Sequence, residues 1–262
     1  KKLSRVVDYQ TMTYSVRRRA SLWTSRVEAS LRGLRATIHT PRGPLRIESS
    51  LVGEFNLSNI LAATGVAVAL GISGEAVRRA IDNLSTVPGR MERIENDRGI
   101  EIFVDYAHTP DALERTLTVL RSFRGQGRLI TLFGCGGDRD RTKRPLMGTV
   151  AARLSDLAIV TSDNPRSEPP GDILRDVEAG FVSEHIRSVE KGDLRRTERG
   201  GYLTVENRRE AIGLAIQTAH AGDIVLIAGK GHEDYQILGD RKVPFDDRHE
   251  VREVLAKSGS QG

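Results

Sequence analysis

Leu129-Ile130-Thr131-Leu132-Phe133 runs into Gly134-Cys135-Gly136-Gly137-Asp138-Arg139-Asp140 and then into Arg141-Thr142-Lys143-Arg144-Pro145. Five β-prone, mostly apolar residues predict a buried strand. The glycines that follow predict a loop whose backbone can approach a ligand, because no Cβ stands in the way. A helix is expected from about Pro145 to Leu154. The same grammar repeats in both directions. Upstream, residues 100–104 read as a strand, and Thr109-Pro110-Asp111 opens a helix with a capping residue, a proline at the first position and an acid in the first turn. Downstream, residues 157–161, 202–205 and 224–228 read as strands, with helices over 172–181 and 208–220. Short apolar strands alternating with helices predict an α/β fold, a Rossmann-like, doubly wound and mostly parallel sheet. Such sheets bind ligands outside the carboxyl ends of their strands.

The part before this region has a different texture. Residues 27–47 hold two β-prone runs around Pro41-Arg42-Gly43-Pro44, a hairpin signal. Residues 57–70 are rich in Ala and Val and predict a buried helix, and Ser73 is placed to cap a second one running to about Leu84. Pro88-Gly89 breaks the chain, so a boundary is expected there, giving domains 1–87 and 88–262. The 262 residues are 38% hydrophobic and 29% charged, a globular balance. No run of eighteen apolar residues occurs, so no membrane span is expected. Lys1-Lys2-Leu3-Ser4-Arg5 lacks the apolar stretch of a secretory signal. One cysteine excludes an internal disulfide and fits a reducing, cytoplasmic setting. The net charge of +5 suits an anionic small substrate better than nucleic acid, since basic residues are dispersed and aromatics are only 5%. Arg17-Arg18-Arg19 reads as a solvated strand end, and Ser258 to Gly262 as a frayed tail.

Four segments at strand ends could carry chemistry. In Asp105-Tyr106-Ala107-His108-Thr109-Pro110 the carboxylate could bond ribose hydroxyls while the helix start favours anions, although turn and cap chemistry would leave the same residues. Arg139, Arg141, Lys143 and Arg144 put four cations within six residues, which suits a carboxylate or phosphate unless the loop is merely a solvated basic one. The dinucleotide fingerprint fails here, because Arg139 stands at its last glycine. Asp163-Asn164-Pro165-Arg166 offers an acid, an amide and a guanidinium, a set fit for a zwitterion but also common in turns. Gly229-Lys230 is not a phosphate loop: the upstream spacing is wrong and Gly231 sits where Ser or Thr should be. His232 and Glu233 lack a second His at zinc-site spacing, and Cys135 carries no thiolate-catalysis signature.

In order along the chain, Gly53-Glu54-Phe55-Asn56-Leu57-Ser58-Asn59-Ile60-Leu61-Ala62-Ala63, Val87-Pro88-Gly89-Arg90-Met91-Glu92 and the four segments above resemble Mur ligases of the MurE type. The resemblance covers essentially the whole chain. It implies the last part of a central ATPase domain in residues 1–87 and a whole C-terminal domain in 88–262. The phosphate-loop lysine, the Mg²⁺ ligands and most contacts to the UDP-sugar would belong to sequence not included in these residues. The implied chemistry is ATP-driven phosphorylation of the carboxylate of UDP-MurNAc-L-Ala-D-Glu, then attack on the acyl phosphate by the amine of meso-diaminopimelate. By this resemblance Asn59, Arg90 and Asp105 touch the adenosine of ATP and His108 lies near the phosphates. Arg139, Asp163, Asn164, Pro165, Arg166, Gly229 and Glu233 form the amino-acid pocket. Arg139 and Arg166 suit the distal carboxylate that diaminopimelate has and lysine lacks, and Glu233 suits its distal ammonium.

Two other readings compete. Folylpolyglutamate synthetases share the Pro-Gly-Arg and Asp-x-Ala-His segments but lack Asp-Asn-Pro-Arg followed by Gly-His-Glu-Asp. A non-catalytic, MurE-like scaffold protein would have no use for an intact amino-acid pocket. No G-x-x-x-x-G-K-[ST] segment occurs in the chain. The purified 262-residue chain is therefore expected to form no amide from ATP, UDP-MurNAc-dipeptide and diaminopimelate. Product chromatography showing turnover would place a phosphate cradle within it.

Overall fold

The computed structural model describes residues 11–259. The chain divides into two compact units that part between Val87 and Pro88. In the first, strands β1 (Tyr14–Ser15), β2 (Leu22–Ser30), β3 (Gly33–Thr40) and β4 (Gly43–Ser49) form one sheet in that order. β1 and β2 are parallel and the other pairs antiparallel. The expected hairpin is β3–β4, with Ile38 opposite Leu45 and Ala36 opposite Ile47. Alternation in β3 sends Leu34, Ala36 and Ile38 inward, onto Leu57, Ile60 and Leu61 of helix α1 (Glu54–Ala69). That helix starts earlier than the apolar run suggested, because Gly53, at φ 96°, makes the turn and its carbonyl accepts the first helical N–H groups. Ser73 caps α2 (Gly74–Asn83) as expected, its Oγ accepting from Ala76 N at 3.3 Å. The basic triplet lies exposed just beyond β1, with Arg17 paired to Glu54.

The second unit is the doubly wound sheet. Its elements are β5 (Glu92–Ile94), β6 (Glu101–Asp105), α3 (Pro110–Phe123), β7 (Leu129–Cys135), α4 (Lys143–Leu154), β8 (Leu157–Ser162), α5 (Pro170–Ser183), β9 (Arg187–Ser188), β10 (Gly201–Val205), α6 (Arg208–Thr218) and β11 (Ile224–Ala228). The β12 (Tyr235–Leu238)–β13 (Arg241–Pro244) hairpin and α7 (Asp247–Gly259) complete it. The spatial order is β5-β6-β11-β7-β8-β10-β9, all parallel except β5. Right-handed crossovers fix the layers. From β6 to β7 to β8 the chain advances one way, which puts α3, α4 and α5 on one face. From β10 to β11 it returns, which puts α6 on the other. There Ala211, Ile212, Ala215 and Ile216 of α6 and Val251 of α7 pack on Val104, Leu132, Ile159 and Ile227.

β7 extends through Gly134 and Cys135, which still pair with Thr161 and Ser162. The hairpin β12–β13 and the helix α7 were not anticipated. α7 takes in Ser258 and Gly259, which had been read as tail. The remaining tail residues and Lys1 to Arg5 lie outside the described residues. Among the described residues no helix is long and apolar enough to cross a membrane.

One ion pair ties the layers to the strand ends. Arg208, the first residue of α6, donates from Nε to Asp247 Oδ1 and from Nη2 to Asp247 Oδ2, both at 2.7 Å, and both side chains are 0% exposed. The same guanidinium donates to Ala228 O at 3.0 Å and Ser162 O at 3.3 Å, the last carbonyls of β11 and β8. Removing one partner leaves a buried, unpaired charge. Asp247→Ala is expected to destabilise the chain by about 3–5 kcal/mol, and Arg208→Met with Asp247→Leu to recover much of the loss, as read by urea unfolding.

Candidate functional site

The loops leaving β6, β7, β8 and β11 converge at the carboxyl edge of the sheet. On the β6–β11 side the loops after β6 and β11 interlock with the turn before β5. A Cβ on Gly89, at φ 65°, would lie 2.1 Å from His232 N, so the turn carrying Arg90 rests directly on the loop after β11. Asp105 pins this turn, its Oδ2 accepting from Met91 N at 2.7 Å and its Oδ1 from Ala107 N at 2.9 Å. Burial raises the carboxyl's pKa against the pull of those N–H groups. Arg90 is exposed and stacks its guanidinium 4.7 Å from the centre of the Tyr106 ring. His108 Nδ1 lies 2.8 Å from Tyr106 O. A carbonyl only accepts, so Nδ1 carries a proton toward it and Nε2 is the nitrogen left for another partner. Asn59 belongs to the first unit, exposed on α1, where its amide donates to Asn56 Oδ1 at 3.3 Å.

On the β7–β8 side the glycine loop lies against the turn after β8. A Cβ on Gly137 would fall 1.9 Å from Pro165 O, and Gly137 N donates to Asn164 O at 2.9 Å. The four cations of this loop separate into different roles. Arg144 is fully buried and donates to both oxygens of Glu168, to Asp176 and to Gly136 O. Arg141 pairs with Asp176, and Lys143 Nζ donates to His108 O at 2.9 Å. The expectation that all four await an anion is thus corrected: Arg141 and Arg144 are neutralised by acids within the protein, while Lys143 is bonded to a carbonyl. Arg139 remains exposed, bonded to Asp138 O. Cys135 is buried, and burial pushes its thiol up to about 12, which makes it inert.

The remaining site residues gather around a group to which the sequence reading gave no role. Lys230 is fully buried, and its ammonium donates to Asp163 Oδ1 at 3.2 Å, Asn164 Oδ1 at 3.1 Å and Glu233 Oε2 at 3.2 Å. Asn164 Nδ2 also donates to Glu233 Oε2, at 3.0 Å. Arg166 is half-buried, and its Nη1 donates to Gly137 O at 2.8 Å and Asn164 O at 3.3 Å. Among the described residues its Nε and Nη2 have no partner. The guanidinium and the Glu233 carboxylate therefore flank Asn164. Pro165 is buried within the turn, and Gly229 donates its N–H to Asp105 O, which ties the loop after β11 to the end of β6. Lys230 escaped notice because Gly229-Lys230 was weighed only as a phosphate loop. Its signal was a lysine directly after the most apolar strand, where a bare ammonium would be costly.

Among the described residues no cluster of three or more His, Cys, Asp or Glu could hold a metal ion.

The family model described as Mur ligase, glutamate ligase domain matches residues 89–231, and the Mur ligase middle domain matches residues 1–67. The chain belongs to the Mur ligase family. It is similar to the UDP-N-acetylmuramoyl-L-alanyl-D-glutamate–2,6-diaminopimelate ligase of Geobacter metallireducens, at 50% identity over 90% of this chain and 46% of that one. The ligase of the same name from Gloeobacter violaceus is 50% identical over 97% of this chain and 49% of that one. A solved structure of such a ligase superposes with a TM-score of 0.63 at 37% identity, over 95% of this chain and 48% of the other. The chain spans about half the length of the curated relatives it matches. These matches favour neither the folylpolyglutamate-synthetase nor the scaffold reading.

Glu168 gives the glycine loop of this Mur ligase chain a pH dependence. Its bonds from Arg144 and from Asp138 N hold its carboxyl well below the ordinary 4.5, at about 2. A folded-state value below the unfolded one stabilises above the unfolded value, and the gain is lost as pH falls through the folded value. The difference in urea midpoint between wild type and Glu168→Gln should thus be full at pH 6 and close between about 4.5 and about 2.

Proposed function

We propose that this chain is the carboxy-terminal part of an ATP-dependent amide ligase that adds meso-diaminopimelate to UDP-MurNAc-L-Ala-D-Glu in peptidoglycan synthesis, by way of an acyl phosphate. The observation that carries this reading is the placement of Arg166 and Glu233 on either side of Asn164. A guanidinium with unused N–H groups suits the distal carboxylate of a diamino diacid, and a neighbouring carboxylate suits its distal ammonium. Arg139 stands exposed over the same loop as a second cation for that carboxylate. Asp163, Asn164, Pro165 and Gly229 shape the pocket rather than reach into it. The relatives' names state the same substrate pair.

For the nucleotide we assign Arg90, Asp105 and Asn59 to adenosine. Arg90, stacked on Tyr106, offers a guanidinium face, and Asp105 acts by holding that turn in place. His108, with Nε2 available and the α3 N-terminus following it, suits the phosphate end. ATP would convert the poorly electrophilic carboxylate into an acyl phosphate, and the diamino acid's amine would displace phosphate. Water must be kept from that intermediate, and a pocket that seats the amine at the strand ends favours aminolysis over hydrolysis. Among the described residues no cluster of His, Cys, Asp or Glu supplies a Mg²⁺ site. We place the reaction in the cytoplasm, where ATP is available, and expect no nucleic-acid or membrane partner.

In the full-length ligase, Arg166→Ala should raise the KM for diaminopimelate steeply while the KM for ATP stays near normal. The loss is about 2–5 kcal/mol if the ion pair is desolvated. Arg166→Lys should not restore it fully, since an ammonium cannot reproduce the planar fork. If Arg166 only braces its turn, the melting temperature falls and the diaminopimelate-to-lysine ratio of kcat/KM does not move. An unchanged ratio would move selectivity away from this residue.

A further inference from the structure

Lys230 takes no part in the chemistry assigned above, yet its ammonium is 0% exposed and its three donors meet three acceptors of the amino-acid pocket. A buried cation is costly unless every proton finds a partner, and an apolar side chain of similar length would fill the same space without that cost. The partners are not scattered: Asp163 and Asn164 come from the turn after β8, and Glu233 from the loop after β11. We propose that Lys230 is a positioning residue, a built-in ammonium that orients Asn164 and Glu233 and sets the charge that the ligand must match.

The orientation follows from donor and acceptor counting. Asn164 Oδ1 accepts from Lys230 Nζ and from Ile237 N at 3.0 Å, while Nδ2 donates to Glu233. A flipped amide would point NH₂ at two donors, so only one orientation is compatible with Lys230. Glu233 is then held through Oε2 alone, by Lys230 and Asn164. Among the described residues its Oε1 has no partner, which leaves that oxygen for the ligand. The charge follows as well. Asp163 and Glu233 bring two formal negative charges and Lys230 one positive, so the cluster is one positive charge short. A single ligand ammonium at Glu233 completes it. The cluster therefore selects a ligand whose distal end carries one cation there and its carboxylate on the Arg166 side.

This inference rests on the reading of the pocket as the diamino-acid site. Its test uses the full-length ligase carrying Lys230→Met, Lys230→Gln, Glu233→Gln, or Lys230→Met with Glu233→Gln. Lys230→Gln keeps a hydrogen-bonding head in the buried site and is included because Lys230→Met could fail to fold. Either neutral variant should raise the KM for diaminopimelate about ten- to hundredfold, with kcat at saturation and the KM for ATP little changed. Because Lys230 acts through Glu233, the double variant should cost little more than Glu233→Gln alone. A fall in melting temperature with an unmoved KM, or effects that simply add, would overturn the assignment. Should the parent ligase show no dependence of rate on diaminopimelate, the reading of the pocket itself falls, which is a different result.

Discussion

Buried cations hold the carboxyl edge of the parallel sheet together. Where strands end and loops fan out, backbone carbonyls lose their ladder partners and must find others. Arg208 takes the last carbonyls of β8 and β11, and Asp247 neutralises it. Arg144 takes Gly136 O in the glycine loop and is neutralised by Glu168 and Asp176. Lys230 does the same for the side chains of the turn after β8. Each is fully buried. Each links elements distant in sequence, so the loops of the site are fixed by charge pairs inside the protein before any ligand arrives. In the proposed ligase reaction, that preorganisation would seat an amine against a short-lived acyl phosphate.

The cations at this edge fall into two classes, and the difference has functional content. Arg144, Arg208 and Lys230 are neutralised by acids inside the protein. Arg90, Arg139 and Arg166 are not: they are exposed or half-buried, and their protein bonds are few and directed at carbonyls or a ring face. A cation bonded to carbonyls keeps its charge uncompensated, so it still attracts an anion. The basic loop 139–144 shows why composition alone misled. It looked like one anion trap, but its acidic partners, Glu168 and Asp176, come from a segment some thirty residues on, in and just before α5.

Most of the second unit was legible from the sequence, because a fully buried parallel strand is a short apolar run and its helices carry caps. Ile224 to Ala228 and the Thr109-Pro110-Asp111 start were found as they stand. The hairpin β12–β13 was missed although Gly239, at φ 59°, sits at its turn, since Tyr235-Gln236-Ile237-Leu238 and Arg241-Lys242-Val243-Pro244 are too short and mixed to signal strands. α7 was missed because most of its length is polar and only a few residues face the core. The site segments could be found individually, as glycines and charges after strands. What could not be read was which charges are spent on one another. That depends on contacts such as Lys230 with Asp163, 67 residues apart.

The backbone at Arg166 bears on which of these groups serves the ligand. Two residues of the interlocked loops, Asp138 and Arg166, both sit at φ 53°. For a residue other than glycine such a conformation costs on the order of 1 kcal/mol or more. At Asp138 the side chain accounts for it: its carboxylate accepts from Ser167 N and Ser167 Oγ, bonds that glycine could not make. At Arg166 the backbone is held from both sides by the hairpin, with Arg166 N donating to Ile237 O and Arg166 O accepting from Gly239 N. Those bonds need no side chain, and glycine would make them without strain. The side chain adds one good hydrogen bond, to Gly137 O, through a single nitrogen. That is little stabilisation for a long, flexible group at a strained position. In the proposed diamino-acid pocket, that strain is the cost of presenting an anchored guanidinium with two of its nitrogens open to a carboxylate.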